Sequence, residues 1–172
     1  ADGDWSSDVC SSDLLELREP GPLVQNNVQN LQLILFSLIS NGHEALDDPK
    51  PPLTVATKTI SAEDIPGQAK WFPIDWRPNQ NRYACLEVTD RGCGIDPDEL
   101  DKIFDPFFTT KFTGRGLSLA AVLGLVSAAD GAVLVQSRLE QGSTFQVLLP
   151  LAEKAAPETG PDAVESRGSS SA

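Results

Sequence analysis

Asp90-Arg91-Gly92-Cys93-Gly94-Ile95 sets a carboxylate at the end of a strand-like run, with two glycines one residue apart just beyond it. Further on, Asp105-Pro106-Phe107-Phe108-Thr109-Thr110-Lys111 leads to a second glycine pair, Gly114 and Gly116, which opens a helix-like run at Leu117. Glycine lets backbone approach a ligand closely and take positive φ without steric cost, and a helix N-terminus offers unpaired N–H groups to phosphate oxygens. Together these residue types imply a nucleotide pocket.

The 172 residues imply one domain plus tails, and 40% hydrophobic content is enough for a core. A net charge of -12 leaves no broad basic face and so excludes a nucleic-acid or anionic-membrane binder. Local binding of ATP is still allowed. The three cysteines, Cys10, Cys85 and Cys93, form no C-x-x-C pair, so neither a disulfide framework nor a zinc site is indicated, which fits a reducing cytoplasm. The first residues show neither the basic nor the apolar region of a signal peptide. The apolar run over 117–135 approaches membrane-spanning length, but Asp130-Gly131 splits it into a helix-like and a strand-like part.

Residues 1–14 lack any period and look like a translated sequencing adapter, so a non-native or disordered leader is expected there. A short strand is expected over 15–18. The spacing of Val28, Leu31, Leu35, Leu38 and Ala45 predicts a helix over 28–46, capped by Asn27 and stopped by Asp47-Asp48-Pro49. Ser37, Asn41 and Glu44 share one polar face of that helix, from which an Asn amide oxygen could ligate Mg²⁺.

Alternation predicts strands over 53–60 and 83–89, joined by a long connection whose Trp71, Phe72 and Trp76 fold over a sheet edge as satellite packing rather than as an aromatic binding surface. A short helix is expected over 97–104, with Asp96 as N-cap, Pro97 at the first position and Glu99 completing the cap. Residues 105–116 suit a lid, and 117–129 a helix. Strands over 132–137 and 144–149 form a hairpin through Glu140-Gln141-Gly142-Ser143. The composition after Pro150 predicts a disordered tail or linker over 151–172. The element order gives an α/β fold, a two-layer sandwich of a mixed, mainly antiparallel sheet with three helices on one face.

These segments resemble the ATP-binding catalytic domain of sensor histidine kinases, within the superfamily that includes gyrase, the heat-shock chaperone ATPases and the mismatch-repair ATPases, and the resemblance covers 15–150. Leu35 to Leu46 is similar to the family's N box, Asp90 to Ile95 to its G1 box, Phe104 to Lys111 to its F box, and Gly114 to Leu119 to its G2 box. The resemblance implies the Bergerat-type ATP-binding fold and two cofactors, ATP and Mg²⁺. It implies that Asp90 accepts a hydrogen bond from the adenine amino group while Gly92, Gly94 and Ile95 surround the base. Asn41 would hold Mg²⁺. Gly114, Gly116, Leu117 and the N–H groups opening the next helix would cradle the phosphates, with Lys111 or Arg115 adding charge, and Thr144 would lie near the base.

Ser37 stands where the kinases usually have a second Asn, and Ser118 where the G2 box usually has a glycine. His43, the only histidine, lies inside the N box and is expected to be a wall or surface residue, not the phosphate acceptor. The implied function is the ATP-binding half of a two-component sensor kinase, placing the γ-phosphate on a histidine of a separate helical dimerisation domain expected upstream of Leu15, with a response regulator as further partner. This fragment is expected to be monomeric, to lie in the cytoplasm and not to autophosphorylate alone, any membrane attachment of the intact protein lying outside this sequence. Two alternatives share the pocket: a degenerate interaction module, and an anti-sigma-type serine kinase or ATPase.

Overall fold

The computed structural model describes residues 14–47, 51–67, 69–108 and 118–152. Residues 1–13 of the expected leader, 153–172 of the expected tail and the lid residues Lys111, Gly114, Arg115, Gly116 and Leu117 lie outside these, whereas Leu14 opens the first strand and Leu151 bridges Val24. The elements run β1 (Leu14–Glu16), α1 (Val28–Glu44), β2 (Thr54–Ser61), β3 (Lys70–Phe72), β4 (Arg82–Asp90), α2 (Ser118–Ala128), β5 (Ala132–Arg138) and β6 (Gly142–Pro150). They form a six-stranded sheet in the order β1-β2-β4-β6-β5-β3, in which β1 and β2 are parallel and the other pairings antiparallel.

Period-2 alternation gives the sheet two dissimilar faces. Val55, Val88, Val133, Val135, Phe145, Val147 and Leu149 point to the side covered by α1 and α2, where they meet Ile34, Leu38, Val122 and Val126 in the main core. Burying each of these apolar side chains contributes roughly 1.5–3 kcal/mol. The other face carries Tyr83, Cys85, Ala132, Leu134 and Leu148, covered by Ile65 and Ala69 from the connection between β2 and β4. Toward the site end this second face turns polar. There Lys58 Nζ lies 2.6 Å from Glu87 Oε2, which also accepts from Gln146 Nε2 at 2.6 Å. Burial pushes the Glu87 carboxyl up, but hydrogen bonds from Lys58 and Gln146 and the Lys58 charge outweigh it and hold Glu87 below its ordinary value.

Asn27 caps α1 as its residue type demands, its side chain accepting from the Gln29 N–H at 2.7 Å. The buried stripe is rotated from the expected one. Leu38 is buried and Leu31 and Leu35 pack against the core as expected, but Ile34 and Gly42 are buried beside them while Val28 is 66% exposed. Apolar residues nearly all round this helix give no unique period.

The sheet is mixed and mainly antiparallel as expected, but two α-helices, not three, are seen among the described residues. Over 97–104 the chain forms linked turns. Asp96 caps the Asp98 N–H at 2.9 Å, yet the bonds that follow are mostly of the i→i+3 kind, including Glu99 to Asp96 and Lys102 to Glu99. The capping signal was sound, but the segment never propagates a run of i→i+4 bonds. The connection over 61–82 also does more than fold over an edge. It crosses the second face and adds β3 as an edge strand on β5, with Phe72 opposite Val133. Its aromatics pack internally, as Trp71 and Trp76 lie 5.6 Å apart between ring centroids and Trp76 and Tyr83 lie 5.5 Å apart.

No helix of the described residues is long and apolar enough to cross a membrane. Gly124 in α2 is exposed, and a Cβ there would meet nothing within 4 Å. Gly124→Ala should therefore stabilise the domain by about 0.5–1 kcal/mol, the helix-propensity gain, read as a small upward shift in thermal or urea unfolding midpoint. A lowered midpoint would contradict this placement.

Candidate nucleotide-binding site

On the helix-covered face the rows across the sheet are apolar until its end. Leu86, Val147 and Val133 are opposite one another on β4, β6 and β5, and so are Val88, Phe145 and Val135. The next row is Asp90, Ser143 and Ser137. A hydrophobic surface thus ends in a carboxylate and two hydroxyls, the pattern of a site with an apolar body and a few placed polar groups.

Asp90 is only 4% exposed, and its Oδ1 accepts the Gly92 N–H at 2.8 Å. That bond turns the chain directly off the strand end. A Cβ at Gly92 would collide with the Ala45 carbonyl at the end of α1, which instead accepts the Cys93 N–H at 3.1 Å. The loop therefore satisfies an orphan carbonyl of the helix terminus. α1 is held close from its other side too, since a Cβ at Gly42 would lie 3.8 Å from that of Asp90. Gly94 has φ +72°, and a Cβ there would collide with the Arg138 carbonyl, so the loop presses against the β5–β6 hairpin. The Cys93 carbonyl accepts the Glu140 N–H at 2.8 Å, and Ser137 Oγ accepts the Ile95 N–H at 2.8 Å.

A cavity of about 580 Å³ opens at this end of the sheet, its walls including Asp90, Ser137 and Ser143 from one face and Thr89 and Thr144 from the other. Lys70, Arg91 and Arg138 also line it, so a chain of net charge -12 offers a locally cationic rim around one buried carboxylate. Lys70 is paired with Asp101, tying the 97–104 turns to β3. The cavity can thus take a ligand with an amino group for Asp90 and an anionic part outside.

Of the residues expected to form the site, Asp90, Gly92, Gly94 and Ile95 come together at the strand end. Asn41 stands half-buried in the last turn of α1, next to Gly42, and is not part of the cavity wall. Thr144 reaches the cavity from the face opposite Asp90, its hydroxyl 3.1 Å from that of Thr89. Lys111, Gly114, Arg115, Gly116 and Leu117 lie outside the described residues. Ser143 and Ser137 share the row of Asp90, and sequence reasoning missed both. The expected hairpin loop, placed over 140–143, absorbed Ser143 into the turn, whereas β6 begins at Gly142. Counting alternation back from Phe145 would have brought Ser143 to the face of Asp90. Among the described residues there is no cluster of three or more His, Cys, Asp or Glu that could hold a metal ion.

Residues 26–153 match the family model described as histidine kinase-, DNA gyrase B- and HSP90-like ATPase. The sensor kinase CckA of Brucella abortus is 34% identical over 129 residues, covering 74% of this chain and 13% of that protein. The sensor histidine kinase ZraS of Salmonella typhimurium is 46% identical over 159 residues, covering 81% of this chain and 34% of its own length. Among solved structures, full-length ShkA in complex with AMPPNP superposes with a TM-score of 0.64 at 26% identity, over 85% of this chain and 27% of that one. The chain thus spans about an eighth of CckA and a third of ZraS.

Proposed function

We propose that this chain, which belongs to the histidine kinase-, DNA gyrase B- and HSP90-like ATPase family, is the ATP-binding catalytic half of a two-component sensor kinase. The observation that carries the assignment is the buried Asp90 at the end of an apolar sheet face, beside the C-terminal turn of α1. A carboxylate in that position accepts the exocyclic N–H of adenine, a donor that guanine lacks at the equivalent carbon. Gly92 and Gly94 let the loop that follows Asp90 pack against Ala45 and Arg138, and the Ile95 N–H ties it to Ser137, which fixes the carboxylate at the cavity wall. The locally cationic rim favours an anionic ligand in an otherwise acidic chain.

Asn41 fits a role as oxygen ligand to Mg²⁺, being half-buried on the helix turn that abuts Asp90, and one neutral protein oxygen would suffice where phosphate oxygens and waters supply the other ligands. Bound there, Mg²⁺ would neutralise phosphate charge. Lys111, Gly114, Arg115, Gly116 and Leu117 are assigned to the phosphates by their match to the family's motifs. In the transfer itself the bond between the γ-phosphorus and the β–γ bridging oxygen breaks, a nitrogen–phosphorus bond forms on a histidine of a separate domain, and ADP leaves. A response regulator would then take the phosphoryl group.

Calorimetry with ATP and Mg²⁺ tests the assignment, and saturable binding in the millimolar range or tighter is expected. The same chain incubated with labelled ATP should acquire no acid-labile phosphate. Absence of binding at millimolar ATP would favour an interaction module instead, and phosphate on His43 would overturn the division of labour between domains.

A further inference from the structure

Lys70, Arg91 and Arg138 surround the cavity, but they do not share one face of the sheet. Phe72 lies in the main core and Trp71 on the second face, so alternation along β3 puts Lys70 on the side of Asp90. Arg138 follows Ser137, whose hydroxyl is held on the side of Asp90 by Ser143 and the Ile95 N–H, and the same alternation turns Arg138 to the second face. Arg91 follows Asp90, and the chain beyond it swings toward α1, where Gly92 packs on Ala45. The exposed Arg91 side chain thus points away from α1, to the second face as well.

Gly142 brings these two arginines together. It is opposite Arg138 in the ladder of β5 and β6, and a Cβ on it would lie 2.8 Å from the Cα of Arg91. The two arginine backbones are therefore about two strand spacings apart, roughly 10 Å, with no side chain between them. Thr89, Thr144 and Gln136 form the neighbouring row of the same face and line the same cavity. The hydroxyls of Thr89 and Thr144 are 3.1 Å apart, so one proton is spent between them and the accepting hydroxyl keeps its own for a further acceptor. Lys58 and Lys70 are matched with Glu87 and Asp101, whereas neither Arg91 nor Arg138 is ion-paired among the described residues. In a chain of net charge -12, two guanidinium groups thus stand over a floor of hydroxyls and one amide without a carboxylate of their own.

We propose that the second face, at this end of the sheet, holds a phosphate-type oxyanion between Arg91 and Arg138, separate from the nucleotide. Guanidinium forks present paired N–H donors to phosphate oxygens, while a threonine hydroxyl and the Gln136 amide donate from below. The phosphates of ATP are assigned elsewhere, to Asn41 on α1 and to 111–117, and α1 covers the opposite face. Only the separateness of the two sites rests on the assignment of the cavity to ATP.

Inorganic phosphate titrated into the isotope-labelled chain at constant ionic strength tests the site, with the backbone amide signals of Gln136, Arg138 and Thr144 followed by NMR and acetate as the comparison anion. Saturable shifts in the millimolar range are expected with phosphate, and weaker binding with acetate, whose single carboxylate has fewer oxygens for two guanidinium groups. Arg91→Gln and Arg138→Gln should each weaken phosphate by about two- to fivefold, the worth of one exposed charge contact. If one of them fails to fold, the other carries the comparison. Arg82→Gln, the same change of charge at the opposite end of β4, should leave phosphate binding as it is. Phosphate should still bind at an ATP concentration just sufficient to saturate the Gly94 signal, and displacement there would give the arginines to the nucleotide and overturn the proposal. Shifts that never saturate, acetate bound as tightly, or an equal loss in Arg82→Gln would show an adventitious ion only and overturn it too. A chain that binds phosphate as expected but no ATP would keep this site and lose the assignment of the cavity to ATP.

Discussion

Asp90→Asn should weaken ATP binding by about 1–3 kcal/mol, roughly tenfold to more than a hundredfold in Kd, while leaving the fold intact. The substitution is nearly isosteric, and the Asn Oδ1 can still accept the Gly92 N–H that Asp90 takes at 2.8 Å. With the oxygen so committed, the amide nitrogen occupies the place of the second carboxylate oxygen. A donor then faces the donor amino group of adenine, and the negative charge that strengthened the bond is gone. Because Asp90 is 4% exposed, little water is at hand to soften the mismatch. Calorimetry with ATP should show the loss, and unfolding midpoints close to wild type should show that it is local. Unchanged ATP affinity would remove Asp90 from base recognition and with it the main support for the nucleotide assignment.

Much of this site was legible because its signals are short-range. Asn27 caps α1 because its side chain reaches two residues along the chain, and the split of the apolar run at Asp130-Gly131 shows in the structure as α2 followed by β5. Asp90, Gly92 and Gly94 could be singled out because only glycine tolerates the approach to Ala45 and Arg138 that the structure shows there. What escaped depends on register between distant segments. Ser143 meets Asp90, and Ser137 meets Ser143, only once β6 is known to start at Gly142, and a shift of one residue would exchange Ser143 for Thr144 on that face. β3 escaped for a similar reason. Three residues with Trp71 and Phe72 facing opposite ways make no pattern alone, and Lys70–Phe72 becomes a strand only by pairing with β5 at the far edge of the sheet. Over 97–104 the local signal outran the tertiary outcome: a well-formed cap opens the segment, but Ile103, Phe104 and Leu100 reach the core from a chain of turns.

A large stability effect is expected at Gly142, where β6 begins and the hairpin folds back on the site. Its φ is +98°, outside the region an L side chain favours, and a Cβ would collide with the carbonyl oxygen of Asp90. Two costs therefore combine in Gly142→Ala: backbone strain of roughly 1–3 kcal/mol and an overpacking penalty of similar size against backbone that cannot rotate away. The two share one relaxation, so the expected total is about 2–4 kcal/mol, a drop in melting temperature of roughly 5–15 °C for a chain of this length. Relief by shifting Asp90 would move the carboxylate off its row with Ser143 and Ser137, so ATP affinity should fall together with stability. Gly67 provides the control. A Cβ there meets nothing within 4 Å, and Gly67→Ala should change stability by no more than about 0.5 kcal/mol. If Gly142→Ala melted alongside Gly67→Ala, the close approach of the β5–β6 hairpin to Asp90 could not be as the structure has it, and Ser143 would lose its place beside the carboxylate.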